Sequence, residues 1–132
     1  MKDEKYCFAC GEENPFGLHL KFEFEDDKLV SKKILPREFQ GYENISHGGI
    51  VATMLDEMMS KFIQKKYGQQ ALTGKLEIRY RHPTPTGEEL KLSAWQISQV
   101  MNIITLKSKV ETSEGQTTAE ATAKFAVVAK NE

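Results

Sequence analysis

The residues best suited to chemistry lie in one short run. Gln40-Gly41-Tyr42-Glu43-Asn44-Ile45-Ser46-His47-Gly48-Gly49 is followed, nine residues after His47, by the adjacent acids Asp56-Glu57. Two glycines in the first turn of a helix each cost of order 1 kcal/mol at a fully helical position. They are tolerated where something must approach the backbone closely. The free N–H groups of that turn, backed by the positive end of the helix dipole, suit a carbonyl oxygen that becomes an oxyanion. Close helix–strand packing would use the same glycines, so Gly48 and Gly49 alone leave both readings open. A carboxylate at Asp56 or Glu57 offers a general base or a nucleophile. On a helical wheel Asp56 sits about 140° and Glu57 about 120° from the centre of the apolar stripe, where a solvated pair fits equally well. His47 is open to the same division between capping or packing and catalysis.

The elements that would hold these residues follow from periodicity. Ile50, Val51, Met54, Leu55, Met58, Met59, Phe62 and Ile63 recur with helical spacing and predict a helix of roughly five turns with one broad apolar face. Ser46 is the expected N-cap and Gly68 the expected stop, with Lys65 and Lys66 favouring the last turn. Before the helix, Leu18, Leu20, Phe22 and Phe24 alternate with His19, Lys21, Glu23 and Glu25, which predicts a half-buried strand. Asp26-Asp27 then reads as a turn, residues 28–35 as the returning strand, and Pro36 as its end. After the helix come about four strands. They begin with Leu76, Ile78 and Tyr80, with Leu90, Leu92 and Ala94, and with Ile104, Leu106, Ser108 and Val110. A hairpin turn at Glu114-Gly115 leads to the last, which is lined by Ala119, Ala121, Ala123, Phe125, Val127 and Ala129. Consecutive antiparallel strands with one helix exclude a doubly wound sheet. The predicted architecture is α+β, a curved antiparallel sheet wrapped around one long central helix, with small alanines letting that helix approach.

Composition narrows the function classes. The chain has 132 residues, 39% apolar and 28% charged, which predicts a single globular domain over residues 1–132. A net charge of −1 gives no basic excess for binding nucleic acid. The longest charge-free stretch, residues 92–106, is too short and too polar to span a bilayer. Met1-Lys2-Asp3-Glu4-Lys5 carries both charge signs and leads into no apolar run, so no secretory signal is expected. With two cysteines in all, a reduced cytoplasmic protein is expected rather than a disulfide scaffold.

His47-Gly48-Gly49, with Asp56 nine residues on and Gly74-Lys75-Leu76-Glu77-Ile78-Arg79-Tyr80-Arg81-His82-Pro83 after the helix, resembles the hotdog-fold acyl-CoA thioesterases of the PaaI-like group. The opening Cys7-Phe8-Ala9-Cys10-Gly11-Glu12-Glu13-Asn14-Pro15-Phe16-Gly17-Leu18 resembles the start of many members. The resemblance runs from about Cys7 to Val128. It implies an acyl-CoA thioester substrate, coenzyme A as part of that substrate, and no separate cofactor. It also implies a homodimer or dimer of dimers (a homotetramer) with the active site between subunits. The N–H of Gly49 would polarise the thioester carbonyl. Asp56, from the opposite subunit, would be the base or nucleophile, with Glu57 the less favoured acid. Thr73 would help position the attacking water. Several members carry Asn or Gln six residues before the motif histidine. That position here is Gly41, leaving Gln40 or Asn44 as substitutes.

Further residues have two readings. Arg79, Arg81 and His82 form a basic cluster, either a solvated strand face or a contact to coenzyme A phosphates. Cys7 and Cys10 are read as ordinary buried cysteines with no metal. A redox dithiol, or a zinc site completed by His19 or by a second chain, are the alternatives. Trp95 and the Met54, Met58, Met59 cluster are expected in the core and lining an acyl pocket. The fold alone leaves two rival functions open: a non-catalytic acyl-CoA or lipid-binding domain, and a hydratase or dehydratase.

Overall fold

The computed structural model describes residues 4–130. Residues 1–3 and the side chains at 129 and 130 lie outside that description. With them lie the start of the charged N-terminus and the facing expected of Ala129. Six strands and one long helix follow in the order β1 (Glu23–Glu25), β2 (Lys28–Ile34), α1 (Gly48–Tyr67), β3 (Gln69–Tyr80), β4 (Glu89–Val100), β5 (Ile103–Glu111) and β6 (Thr117–Lys130). They form one sheet in the spatial order β1-β2-β4-β5-β6-β3, with every neighbouring pair antiparallel. The α+β hotdog arrangement expected from the sequence is the one observed.

The turns are local and chemically ordinary. Asp26 takes φ 57° between β1 and β2, Met101 takes φ 57° between β4 and β5, and Gly115 takes φ 87° between β5 and β6. Gly68, at φ 64°, ends α1 in the left-handed region and gives its N–H to the Gln64 carbonyl. The helix buries Val51, Met54, Leu55, Met58, Met59, Phe62 and Ile63. These meet Leu90, Leu92 and Ala94 of β4, Ile104, Leu106 and Val110 of β5, and Ala119, Ala121, Ala123 and Phe125 of β6. Each fully buried Leu, Phe or Met contributes about 1.5–3 kcal/mol over an exposed one, so this face dominates the stability of the fold. Inside it, the Ser108 hydroxyl donates to the Leu55 carbonyl at 3.0 Å, tying β5 to the middle of the helix.

Two expectations are corrected here. The predicted strand over Leu18–Glu25 pairs in the sheet only at Glu23–Glu25. His19 sits at φ 55°, which breaks the extended run. The N–H groups of Leu18 and Leu20 go instead to the carbonyls of Phe8 and Ala9, at 2.8 and 3.0 Å. Leu18 and Leu20 are nonetheless buried as their alternation predicted. Trp95 is not in the core. Leu90, Leu92 and Ala94 take the inward positions of β4, which places Trp95 half-buried on the other face, with the Lys28 ammonium 4.7 Å above its ring.

β3 is an edge. Its outer side has no strand partner among the described residues, and it runs for 12 residues. A long unpaired edge is a template for another chain.

Candidate active site

The loop before α1 is closed on itself and pinned to the connection between β3 and β4. Gln40 and Ser46 form an isolated antiparallel bridge, and the Gly41 N–H donates to the Ile45 carbonyl at 2.8 Å. The Gln40 side-chain oxygen accepts the Asn44 N–H at 3.2 Å, with Asn44 at φ 63°. The N–H of Ser46 reaches the Thr84 carbonyl at 2.7 Å, and that of His47 reaches the Phe39 carbonyl at 2.9 Å. The Gln40 side chain, one candidate substitute for a polar group at position 41, is thus bonded to the backbone of Asn44, the other, and shapes the loop. Gly41 packs beside His47, with room for little more than a methyl group 3.4 Å from the His47 Cα.

The N-cap of α1 is His47, not Ser46. Ser46 is buried and donates its hydroxyl to the Pro85 carbonyl at 3.3 Å, so a contact 39 residues away takes the group that would have capped the helix. His47 Nδ1 accepts the Gly49 N–H at 2.9 Å, which requires that nitrogen to be unprotonated. A Cβ on Gly49 would lie 3.2 Å from Nδ1 and 3.3 Å from Cε1 of this ring. Bare backbone at position 49 therefore fits the capping pose as well as an incoming ligand. Both residues are exposed, and a ligand oxygen reaching the Gly49 N–H would displace the ring.

A contact that periodicity could not reveal fixes the same turn. The Tyr80 hydroxyl donates to the Gly48 carbonyl at 2.8 Å, linking the end of β3 to the start of α1. Tyr80, Gly48, Tyr42, Arg81 and His82 border one surface cleft of about 350 Å³. Arg81 and His82 are exposed there, but Arg81 is already engaged. Its Nε donates to Glu120 Oε1 at 3.0 Å, and Arg81 holds the Glu120 carboxyl below its ordinary pKa. Arg79 lines a cleft with Trp95, Lys107 and the same Glu120, whose carboxyl it also helps to lower. Arg79 and Arg81, two residues apart in the chain, thus share Glu120 as a counter-charge.

Two turns along the helix, Asp56 is half-buried and accepts a hydrogen bond from Thr73 Oγ1 at 2.8 Å. The register of β3 against β6 shifts between Thr73 and Lys75, leaving Gly74 as the extra residue of a bulge. A bulge re-aims the side chains beside it, and here Thr73 reaches the helix. Burial pushes the Asp56 carboxyl up, and the Thr73 hydrogen bond opposes part of that rise. Glu57 is also half-buried and raised, first by burial. It turns toward the N-terminal segment, where the Cys7 thiol approaches its Oε2 at 3.9 Å. The two neighbouring acids thus serve different surroundings, and neither is the freely solvated group a wheel allows.

A family model described as the thioesterase superfamily matches residues 43–119, which hold the His47-Gly48-Gly49 motif, Asp56, Thr73, Arg81 and His82. Among solved structures, a thioesterase superfamily protein is 27% identical over 89% of this chain and 61% of its own, with a TM-score of 0.82. This chain thus spans less than two-thirds of that protein. A protein of Bacillus halodurans solved with CoA is 31% identical over 74% of this chain and 70% of its own, with a TM-score of 0.68. A protein of Streptococcus mutans bound to acetyl-CoA shares the fold at 20% identity, over 86% of this chain and 91% of its own, with a TM-score of 0.77. No curated protein sequence matches the chain. Among the described residues no helix is long and apolar enough to cross a membrane. With the family model covering more than half of its length, the chain belongs to the thioesterase superfamily.

Proposed function

We propose that the protein hydrolyses an acyl-CoA thioester to the free acid and CoA, at a site assembled from two copies of the chain. The observation that carries this reading is the Asp56–Thr73 pair, a half-buried carboxylate held by a hydroxyl on the edge strand β3. In the proposed reaction Asp56 takes a proton from a water held near Thr73. The water oxygen attacks the thioester carbonyl carbon. The carbonyl oxygen gains negative charge and takes the Gly49 N–H from the His47 ring. Collapse of the adduct breaks the C–S bond, and the CoA sulfur leaves with the proton. Direct attack by the Asp56 carboxylate, followed by hydrolysis of the mixed anhydride, uses the same residues. No cofactor is needed beyond the CoA of the substrate.

Distance favours sharing. Gly49 and Asp56 are seven residues apart on one helix, about 10 Å along its axis. A single carbonyl group and its attacking water span less than that, whereas a partner's helix can bring the missing part alongside. Pairing through the open edge of β3, where Leu72 and Tyr80 are each 53% exposed, would supply that partner. This is the homodimer, or dimer of dimers, implied by the PaaI-like resemblance. The CoA and acetyl-CoA held by two structurally similar proteins support the substrate class. The cleft beside Gly48, rimmed by Arg81 and His82, lies where a CoA tail could follow the acyl group.

A panel of short, long and aromatic acyl-CoA esters tests the reading by release of free thiol. Turnover of at least one ester, abolished by Asp56→Ala, is expected. Tight binding without thiol release would favour the non-catalytic alternative, and water addition to an enoyl-CoA would favour the hydratase; either result overturns the proposal.

A further inference from the structure

Glu57 is left unused by the proposed reaction, as are the two cysteines. They meet under the N-terminal segment. The Cys7 Sγ, the Cys10 Sγ and a Glu57 carboxylate oxygen all lie within 4.8 Å of one another, and all three residues are half-buried. We infer that Cys7, Cys10 and Glu57 form a site for one thiophilic divalent cation, Zn²⁺ by preference, which staples the N-terminal segment to the long helix.

The turn that carries the cysteines is built to aim them together. The Cys7 N–H donates to the Glu4 carbonyl at 3.1 Å and the Gly11 N–H to the Cys7 carbonyl at 2.8 Å. Gly11 is buried at the crossing of this turn. A Cβ there would lie 2.4 Å from both the Cys7 nitrogen and the Lys5 carbonyl oxygen, so no side chain fits after the second cysteine. Phe8 and Ala9, between the cysteines, are fixed in turn by accepting the N–H groups of Leu18 and Leu20. The thiols therefore stand on a braced loop, and the third donor stands on the helix beneath it.

The spacing suits a tetrahedral ion. Bond lengths of about 2.3 Å to sulfur and about 2.1 Å to a carboxylate oxygen put the two ligand atoms roughly 3.6 Å apart. The Cys7 Sγ already lies 3.9 Å from Glu57 Oε2. Three protein donors leave the fourth position to water. A surface cleft lined by Glu4, Cys10, Gly11, Leu20 and Lys61 gives the ion access. Two thiolates and a carboxylate around Zn²⁺ leave one negative charge, next to Lys61, whose Nζ lies 3.1 Å from Glu4. His19, the ligand considered from the sequence as an addition to the two thiols, instead bonds the Asn14 carbonyl through Nε2 at 2.7 Å. The sequence expectation of no metal rested on two thiols alone; the third donor lies about 50 residues away, at Glu57.

This inference is independent of the thioesterase reading. The test uses the full chain, stripped with chelator and kept reduced, titrated with Co²⁺ and with Zn²⁺. One Co²⁺ per chain, with thiolate-to-cobalt charge-transfer absorption and tetrahedral visible bands, is expected. Zn²⁺ should raise Tm and compete for the same site. Cys7→Ser, Cys10→Ser and Glu57→Gln should each weaken Zn²⁺ binding by at least about 100-fold, since even changes outside the ligand set cost 10–100-fold. Absence of the thiolate band in the wild type overturns the proposal, whatever the variants do. So does a band of undiminished intensity and unchanged Co²⁺ affinity in Cys10→Ser. A reduced wild type that binds no Zn²⁺ and closes a Cys7–Cys10 disulfide in air would make the pair a redox dithiol instead.

Discussion

Asp56→Asn is expected to lower kcat by about 10²–10⁴-fold, the contribution a positioned general base usually makes, with substrate binding largely kept. Asparagine keeps the shape of the side chain and can still accept the Thr73 hydroxyl, so the fold should persist. Stability should move in the opposite direction to activity. Burial is the main cause of the raised Asp56 pKa, with the Thr73 bond offsetting part of it. A carboxyl raised in the folded state stabilises that state fully below its unfolded pKa. That contribution is lost as pH rises through the folded value. Asp56→Asn does not titrate, so its Tm should gain on that of the wild type as pH is brought from acid to neutral. Over the same window, the kcat/KM of the wild type should rise as the carboxylate forms. Near-normal kcat in Asp56→Asn would remove the residue from the reaction, and a Tm difference independent of pH would contradict the account of its burial.

Gly49→Pro is the second large effect, with an expected loss on the order of 10²–10³ in kcat for one missing oxyanion donor. Proline is tolerated in a first helical turn, where no intrahelical bond is yet required of the nitrogen. The same change removes the bond that His47 Nδ1 accepts from Gly49, and losing a cap costs about 0.5–2 kcal/mol. Thermal unfolding and kcat measured on one preparation separate the two consequences. A folded variant with a modest fall in Tm and a kcat down by two or three powers of ten supports the oxyanion role. A similar fall in Tm with kcat near wild type means that Gly49 serves the cap alone.

What the sequence showed and what it concealed divide along the range of the interactions. The apolar face from Val51 to Ile63 was legible because it is set by helical spacing alone, and so was the alanine stripe at 119, 121 and 123. The turns at Asp26 and Gly115 were legible because local backbone chemistry selects them. Pairings between distant segments were not. Ser46 was the natural N-cap by type, but the Pro85 carbonyl claims its hydroxyl and passes the capping role to His47. Leu18 and Leu20 alternate like a strand, yet their amides pair with Phe8 and Ala9 rather than with the sheet. Tyr80 looked like one more alternating residue of β3, and only the fold brings its hydroxyl to Gly48. For the candidate site, the spacing of His47, Gly49 and Asp56 was visible in the chain. Thr73 was singled out by resemblance, and the bulge at Gly74 is what carries it to Asp56.

Subunit mixing tests the shared hydrolytic site most directly. Gly49→Pro and Asp56→Ala chains, each nearly inactive alone, are combined under conditions that allow exchange, and thiol release from the preferred acyl-CoA is followed. In a twofold dimer with shared sites, each mixed dimer holds one site with an intact Gly49 and an intact Asp56. An equal mixture should therefore recover about one quarter of wild-type activity. If both variants fold and exchange is confirmed, yet activity stays at the level of the separate variants, the two residues do not meet across subunits and the account fails.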